Sequence, residues 1–225
     1  MTPLFDPTAA PPLPAETRPL ATDVFMTHAG DDLVVLDLRT DTYACLPSAG
    51  PRLQITAGSV RADLGLLALL AEAGLLADTI AAPPAPLPDR PVIELQLPRA
   101  PCAWASVPGL ARAAWIASRL GPQPPIRSLI KALPPAGRRL PNPARVARTT
   151  AAFRRLLPWI PGQGACLYRA FVLLCMLRWA GQNATWVFGV RTWPFGAHCW
   201  LQLGSELLDD DCERVAQYAP IMAVS

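Results

Sequence analysis

The apolar positions of this chain change their period twice. Between residues 24 and 47 they come in short runs: VFMTH (24–28), DLVVLDLR (32–39) after the turn Gly30-Asp31, and TYACLP (42–47) after Thr40-Asp41. Apolar runs of this length with β-branched residues, punctuated by Gly and Asp, predict a three-stranded meander. From Ser59 the spacing becomes helical, and VRADLGLLALLAEAGLLA predicts helix. AAPPAPLPDRP (81–91) is a stiff proline-rich spacer, and VIELQL (92–97) alternates as a connecting strand of either neighbour. Beyond it, helical patterns cover 102–121, 127–133 and 144–160, and then an apolar helix runs from about Cys166 to Ala180, with Gly181 placed for a C-cap. ATWVFGVR (184–191) and AHCWLQL (197–203) have strand composition, and Gly204-Ser205 turns the second into ELLDD. The pattern predicts an α+β chain in three parts: a small unit at 1–82, a linker with a connecting strand at 83–98, and a larger unit at 99–225. All seven tryptophans lie beyond residue 100, which gives the larger core to the last part.

Composition narrows the class. With 52% hydrophobic and 16% charged residues the chain buries a sizeable core rather than staying disordered. The start has neither a basic n-region nor an apolar h-region, and the longest apolar run is far short of the roughly 20 residues that span a bilayer. A soluble, cytoplasmic protein without membrane insertion is expected. Its six cysteines form no CxxC pair, so most are expected to be reduced, buried thiols.

Charge is divided unevenly. Residues 1–85 hold four arginines against ten acids (net −6), and the rest hold sixteen basic residues against seven acids (net +9). From Arg112 to Arg155 there are ten basic residues and no acid. No nucleic-acid-binding motif accompanies them, so a solvated or docking face for an acidic partner is expected, not a nucleic-acid site.

The chemistry concentrates after residue 160. Cys166 falls at a helix start, where free N–H groups and the helix dipole stabilise a thiolate. Cys175 lies mid-helix among leucines and is expected to be inert. Strand alternation puts His198, Trp200 and Gln202 on one face and Cys199, Leu201 and Leu203 on the other, so His198 and Cys199 are poorly placed to share a metal. Thiolate attack on a carbonyl, with imidazole moving the proton and a carboxylate fixing the imidazole, requires a cysteine, a histidine and an acid in this kind of arrangement. The Cys166 amide, and after it Gln163, are candidates for an oxyanion hole. His28 has no such partners.

These residues resemble a known family. Cys166-Leu167-Tyr168-Arg169, Gly189-Val190-Arg191, Pro194-Phe195-Gly196-Ala197-His198-Cys199-Trp200 and Asp210, twelve residues after the histidine, look like the leader peptidase (B protein) of lasso-peptide biosynthesis, a branch of the transglutaminase-like, papain-related fold. One position departs from the pattern: Ala170 stands where Ser is often found. The resemblance implies a Cys166–His198–Asp210 triad that removes the leader of a ribosomally made precursor peptide. It implies an N-terminal winged helix-turn-helix similar to the chaperone PqqD, whose sheet takes up the leader as an extra strand. Tyr43, Cys45 and Leu46 of the third strand are the candidate leader contacts. It further implies an asparagine-synthetase-like cyclase as partner; the chain itself binds no cofactor, and ATP enters only through that cyclase. An acyltransferase of the same fold and a non-catalytic leader escort are the rival functions.

Strand parity decides which aspartate serves His198. A two-residue turn at Gly204-Ser205 places Asp209 and Asp211 on the histidine's face, whereas a three-residue turn or an equivalent bulge places Asp210 there. The family spacing favours Asp210, and with it the longer turn, leaving the other two aspartates as solvated strand-end charges.

Overall fold

The computed structural model describes residues 15–79, 84–99, 104–137, 140–159 and 166–225. In the first of these segments, six strands form two three-stranded antiparallel sheets. β2 (Val24–Ala29), β3 (Asp32–Asp37) and β4 (Thr42–Leu46) make the expected meander, in the order β2-β3-β4. β1 (Ala15–Pro19), β5 (Leu53–Thr56) and β6 (Ser59–Asp63) make the other, in the order β1-β6-β5. Helix α1 (Leu64–Glu72) follows.

Two expectations are corrected here. Ser59–Asp63 is a strand, because Val60 and Ala62 alternate into the core while Ser59, Arg61 and Asp63 do not. The helix starts only at Leu64, where the Asp63 carboxylate accepts the Leu66 N–H as an N-cap. Among the described residues of 15–79 there is therefore one α-helix, and no helix-turn-helix pair is formed.

β3 is buried on both faces, which is why LVVLDL reads as a continuous apolar run. Leu33 and Val35 pack with Leu53, Val60 and Leu66, while Val34 and Leu36 join the core of the C-terminal part. β4 pairs only with β3, has mostly exposed side chains, and stands as a sheet edge.

The C-terminal part is a five-stranded sheet with four helices on one face and a single helical turn on the other. Its strands are β7 (Ile93–Glu94), β8 (Thr185–Arg191), β9 (Gly196–Leu203), β10 (Glu206–Leu207) and β11 (Ala219–Val224), in the order β11-β8-β9-β10-β7. The connecting strand expected at 92–97 is thus reduced to two residues, paired parallel to β10. The helices are α2 (Val107–Arg119), α3 (Ile126–Ala132), α4 (Pro143–Leu156), α5 (Cys166–Trp179) and the single turn α6 (Cys212–Val215). α5 is buried all round from Ala170 to Leu177, packs against α2, α4 and β9, and ends at Gly181 with φ +70°. It is the spine of the core, and its first residue is Cys166.

Besides this shared core, the two parts touch through the β8–β9 connection. Trp193 Nε1 donates to Asp32 Oδ2 at 2.7 Å, and Thr192 Oγ1 donates to the Ala29 carbonyl at 3.2 Å. Arg127 adds an ion pair to Asp23. Among the described residues, no helix is long and apolar enough to cross a membrane.

Candidate active site

α5 delivers Cys166 to the floor of a cavity of about 540 Å³ that His198, Cys199, Asp209 and Asp210 also line. β9 supplies the histidine. His198 sits opposite Gly189 of β8, and a Cβ at Gly189 would come within 2.7 Å of the Trp200 ring and 3.0 Å of Tyr218. Only glycine leaves room there for Trp200 and Tyr218, whose rings lie 6.3 and 5.2 Å from the imidazole. Behind them Trp200 Nε1 donates to Gln202, and Gln202 donates to the carbonyls of Asp89 and Gly204, each at 2.8 Å. The wall that holds His198 is therefore tied to the turn and to the linker.

His198 Nε2 meets Asp210 Oδ2 at 2.5 Å, which leaves Nδ1 for the Cys166 sulfur. The turn expected to produce this contact is not the one observed. Glu206 pairs with Leu203 and Leu207 with Gln202, so Gly204-Ser205 is a two-residue turn, with Gly204 at φ +59°. Unbroken pairing would have turned Asp210 away. Instead the ladder ends: Leu208 N–H still bonds the Leu201 carbonyl at 2.9 Å, and the chain then bends through 208–210. The bend undoes the parity of the turn and swings Asp210 onto the imidazole.

Of the flanking aspartates, Asp211 is exposed as expected but Asp209 is not, and both have structural partners. Asp209, 7% exposed, accepts from Arg154 Nε of α4 and Arg169 of α5, each at 2.8 Å. Asp211 caps α6 through the N–H groups of Glu213 and Arg214. Three consecutive carboxylates thus clamp the bend to two helices, orient the histidine and start the next helix. Arg169 is an ion-pair partner; Arg191 lies over Tyr218 and donates to Gln217.

The electrostatics favour an ion pair. The Cys166 thiol falls to about 4: the Cys199 thiol donates to its sulfur, burial opposes, and His198 and the Cys199 backbone N–H add to the lowering. Burial works against a charge on His198, yet Asp210 and then Cys166 raise it to about 9. For Asp210, burial is outweighed by His198 and the Asp211 N–H, which hold it below the usual carboxylate range. Cys175 is pushed up to about 12 by burial, as an inert core thiol should be. Among the described residues, no group of three or more His, Cys, Asp or Glu side chains is disposed to hold a metal.

Cys199 is the site residue that alternation alone concealed. Its side chain does lie on the face opposite Trp200, but that face packs on α5, the helix that carries Cys166. The signal was present in the shared face of Cys199 and Leu201. Gln163 lies outside the described residues. Tyr43 and Cys45 line a second cavity of about 150 Å³ with Trp193 and Phe195, the Tyr43 and Phe195 rings being 5.8 Å apart. Leu46 is half-buried on the same strand but does not line this cavity. His28 is exposed and does not line the cavity that holds Cys166.

A cysteine at a helix start facing a strand-borne histidine is the arrangement of thiol-dependent peptidases and acyltransferases. The family model described as the transglutaminase-like superfamily matches residues 109–223, just over half of the chain, and the chain belongs to that superfamily. No curated protein and no solved structure matches it.

Proposed function

We propose that this protein is a cysteine peptidase that removes the leader from a ribosomally made precursor peptide in lasso-peptide maturation. The observation that carries the reading is the Cys166–His198–Asp210 relay at the floor of an open cavity, built from the residues of the leader-peptidase resemblance. The Cys166 thiolate attacks the carbonyl carbon of the bond between leader and core, and the carbonyl oxygen takes the negative charge at the N-terminus of α5. The His198 imidazolium gives its proton to the departing amine, leaving a Cys166 thioester. Neutral His198 then takes a proton from water, the resulting hydroxide attacks the thioester, and the thiolate is released. Asp210 holds the ring and stabilises its cation throughout.

The leader is received along β4, whose open edge and neighbouring Tyr43–Cys45 cavity suit an extended peptide. Tyr43 supports a continuous path: it also packs against the core that holds Cys166 and is raised by burial and by the nearby Cys199 and Cys166. The freed core peptide passes to an ATP-dependent, asparagine-synthetase-like cyclase in the cytoplasm.

The test uses purified full-length protein and the candidate precursor, with fragments read by mass spectrometry. Hydrolysis yields two fragments whose masses sum to the precursor plus one water, and Cys166→Ala binds precursor without cutting it. Cleavage by Cys166→Ala overturns the mechanism. An amide adduct in place of the water converts the reading to acyl transfer, and an intact precursor with no labelling of Cys166 by a peptide electrophile converts it to a leader escort.

A further inference from the structure

Cys166 has a partner the proposed peptidase cycle does not require. Cys199 lies on the face of β9 that packs on α5, in the core that Cys166 borders, and its thiol and backbone N–H help hold the Cys166 thiol low. Both residues line the same cavity, but their access differs: Cys166 is half-buried at its floor, whereas Cys199 is 4% exposed. Burial and the adjacent thiolate keep Cys199 protonated. A reagent from solvent therefore meets Cys166 first, and Cys199 reacts only with what Cys166 has become. At this position in the sheet, opposite Phe188 and against α5, any small apolar side chain would fill the space. A thiol does something more.

We infer that Cys199 is a resolving cysteine: a peroxide oxidises Cys166, and Cys199 captures the product as a reversible Cys166–Cys199 disulfide that switches the site off. In the first step the Cys166 thiolate attacks the terminal oxygen of a hydroperoxide. An S–O bond forms, the O–O bond breaks, sulfur gives up two electrons, and the released alkoxide or hydroxide takes the His198 proton. Cys166 is then a sulfenic acid. In the second step the Cys199 sulfur attacks the Cys166 sulfur, the S–S bond replaces the S–O bond, and hydroxide leaves as water with the Cys199 proton. Without a neighbouring thiol a sulfenic acid proceeds to the irreversible sulfinic acid. With Cys199 in contact, oxidation stops at a bond that a dithiol reopens. The inference rests on the reactive Cys166 thiolate of the proposed function, not on what that thiolate cuts.

The experiment treats the full-length protein with a slight excess of hydrogen peroxide at neutral pH, blocks free thiols, and maps tryptic peptides without reduction. The expected product links the Cys166 peptide to the Cys199 peptide with loss of two hydrogens. Cys199 and Cys212 share one tryptic peptide, so the map is run in Cys212→Ser as well as the natural chain, and the link must persist. Cys199→Ser should form no link and accumulate sulfinic Cys166. Precursor cleavage should fall at least about tenfold with peroxide and return with dithiothreitol in the natural chain, but stay lost in Cys199→Ser. Sulfinic Cys166 without a link in the natural chain, or equal recovery in Cys199→Ser, overturns the inference. The mass map needs no turnover: a link in a protein that never cuts precursor sinks the peptidase reading alone, and cleavage without a link sinks this inference alone.

Discussion

Two hairpins of this chain start alike and end differently. In β3–β4 the antiparallel register holds from Asp37↔Thr42 to Leu33↔Leu46, and the ladder leaves β4 as a straight, open edge. In β9–β10 it holds for the pairs Leu203↔Glu206 and Gln202↔Leu207 and then breaks. The first hairpin alternates its side chains predictably and offers backbone for pairing. The second gives up pairing after Leu208, and the freed backbone aims Asp209 at two arginines, Asp210 at His198 and Asp211 at the start of α6. A kept register leaves a row of backbone groups open along an edge, whereas a lost register aims single side chains at particular partners.

The sharpest way to break that contrast is to remove the histidine. His198→Ala should lower kcat for precursor cleavage by about 10³-fold or more, because the thiolate loses both its counter-ion and its proton carrier. Precursor affinity, measured by fluorescence anisotropy on the same variant, should stay within about twofold if binding resides on the other hairpin. A large loss of affinity would mean that the two hairpins do not divide the work.

The next largest effects separate the neighbouring aspartates. Asp210→Asn keeps the shape but loses the charge on His198, and kcat should fall by about 10²- to 10⁴-fold. Asp209→Asn should cost only about tenfold in kcat and lower Tm by a few degrees, since its arginines are partly exposed and the bend keeps its other anchors. If Asp209→Asn is the more severe, the wrong aspartate has been paired with the histidine. The same pair of variants predicts a shift in pH dependence. The proposed mechanism needs the Cys166 thiolate, lost as pH falls through about 4, and the His198 imidazolium, lost as pH rises through about 9. Asp210 raises His198, so Asp210→Asn should move the alkaline limb of kcat/KM to lower pH, and Asp209→Asn should leave it in place.

The contrast also explains what could be read from the sequence. Cys166 and His198 were legible because a helix start and a strand are local properties, visible in GQGACLYR and AHCWLQL. Asp210 was reached through the family spacing and the right parity question, but through the wrong turn: the ladder breaks after Leu208, where Asp209 meets Arg154 and Arg169, and those contacts are tertiary. Asp209 looked like a solvated charge for the same reason. In the N-terminal part the meander was legible, but Ser59–Asp63 was read as helix because its strand pairing lies with residues 15–19 and 53–56. Asp63, the residue that stops the strand and caps the helix, was in plain view. Cys199 was missed because alternation says which face a residue takes, not which helix covers that face.

The smallest expected effect tests the binding half of the contrast. Tyr43 lies on the edge strand, packs against Phe195 and lines the cavity beside Cys45 and Trp193. Tyr43→Ala removes the ring that an extended leader would lie against and leaves β4 and its backbone edge in place. Leader affinity should weaken by about tenfold, roughly 1.4 kcal/mol. Tyr43→Phe keeps the ring and should bind within about twofold of the natural chain. The kcat at saturating precursor should stay within about twofold in both, so the loss appears in KM. Tyr43 also packs near Cys166, which makes this split the informative part of the measurement. A fall in kcat with unchanged affinity would assign Tyr43 to the catalytic core and leave β4 without a role in holding the leader.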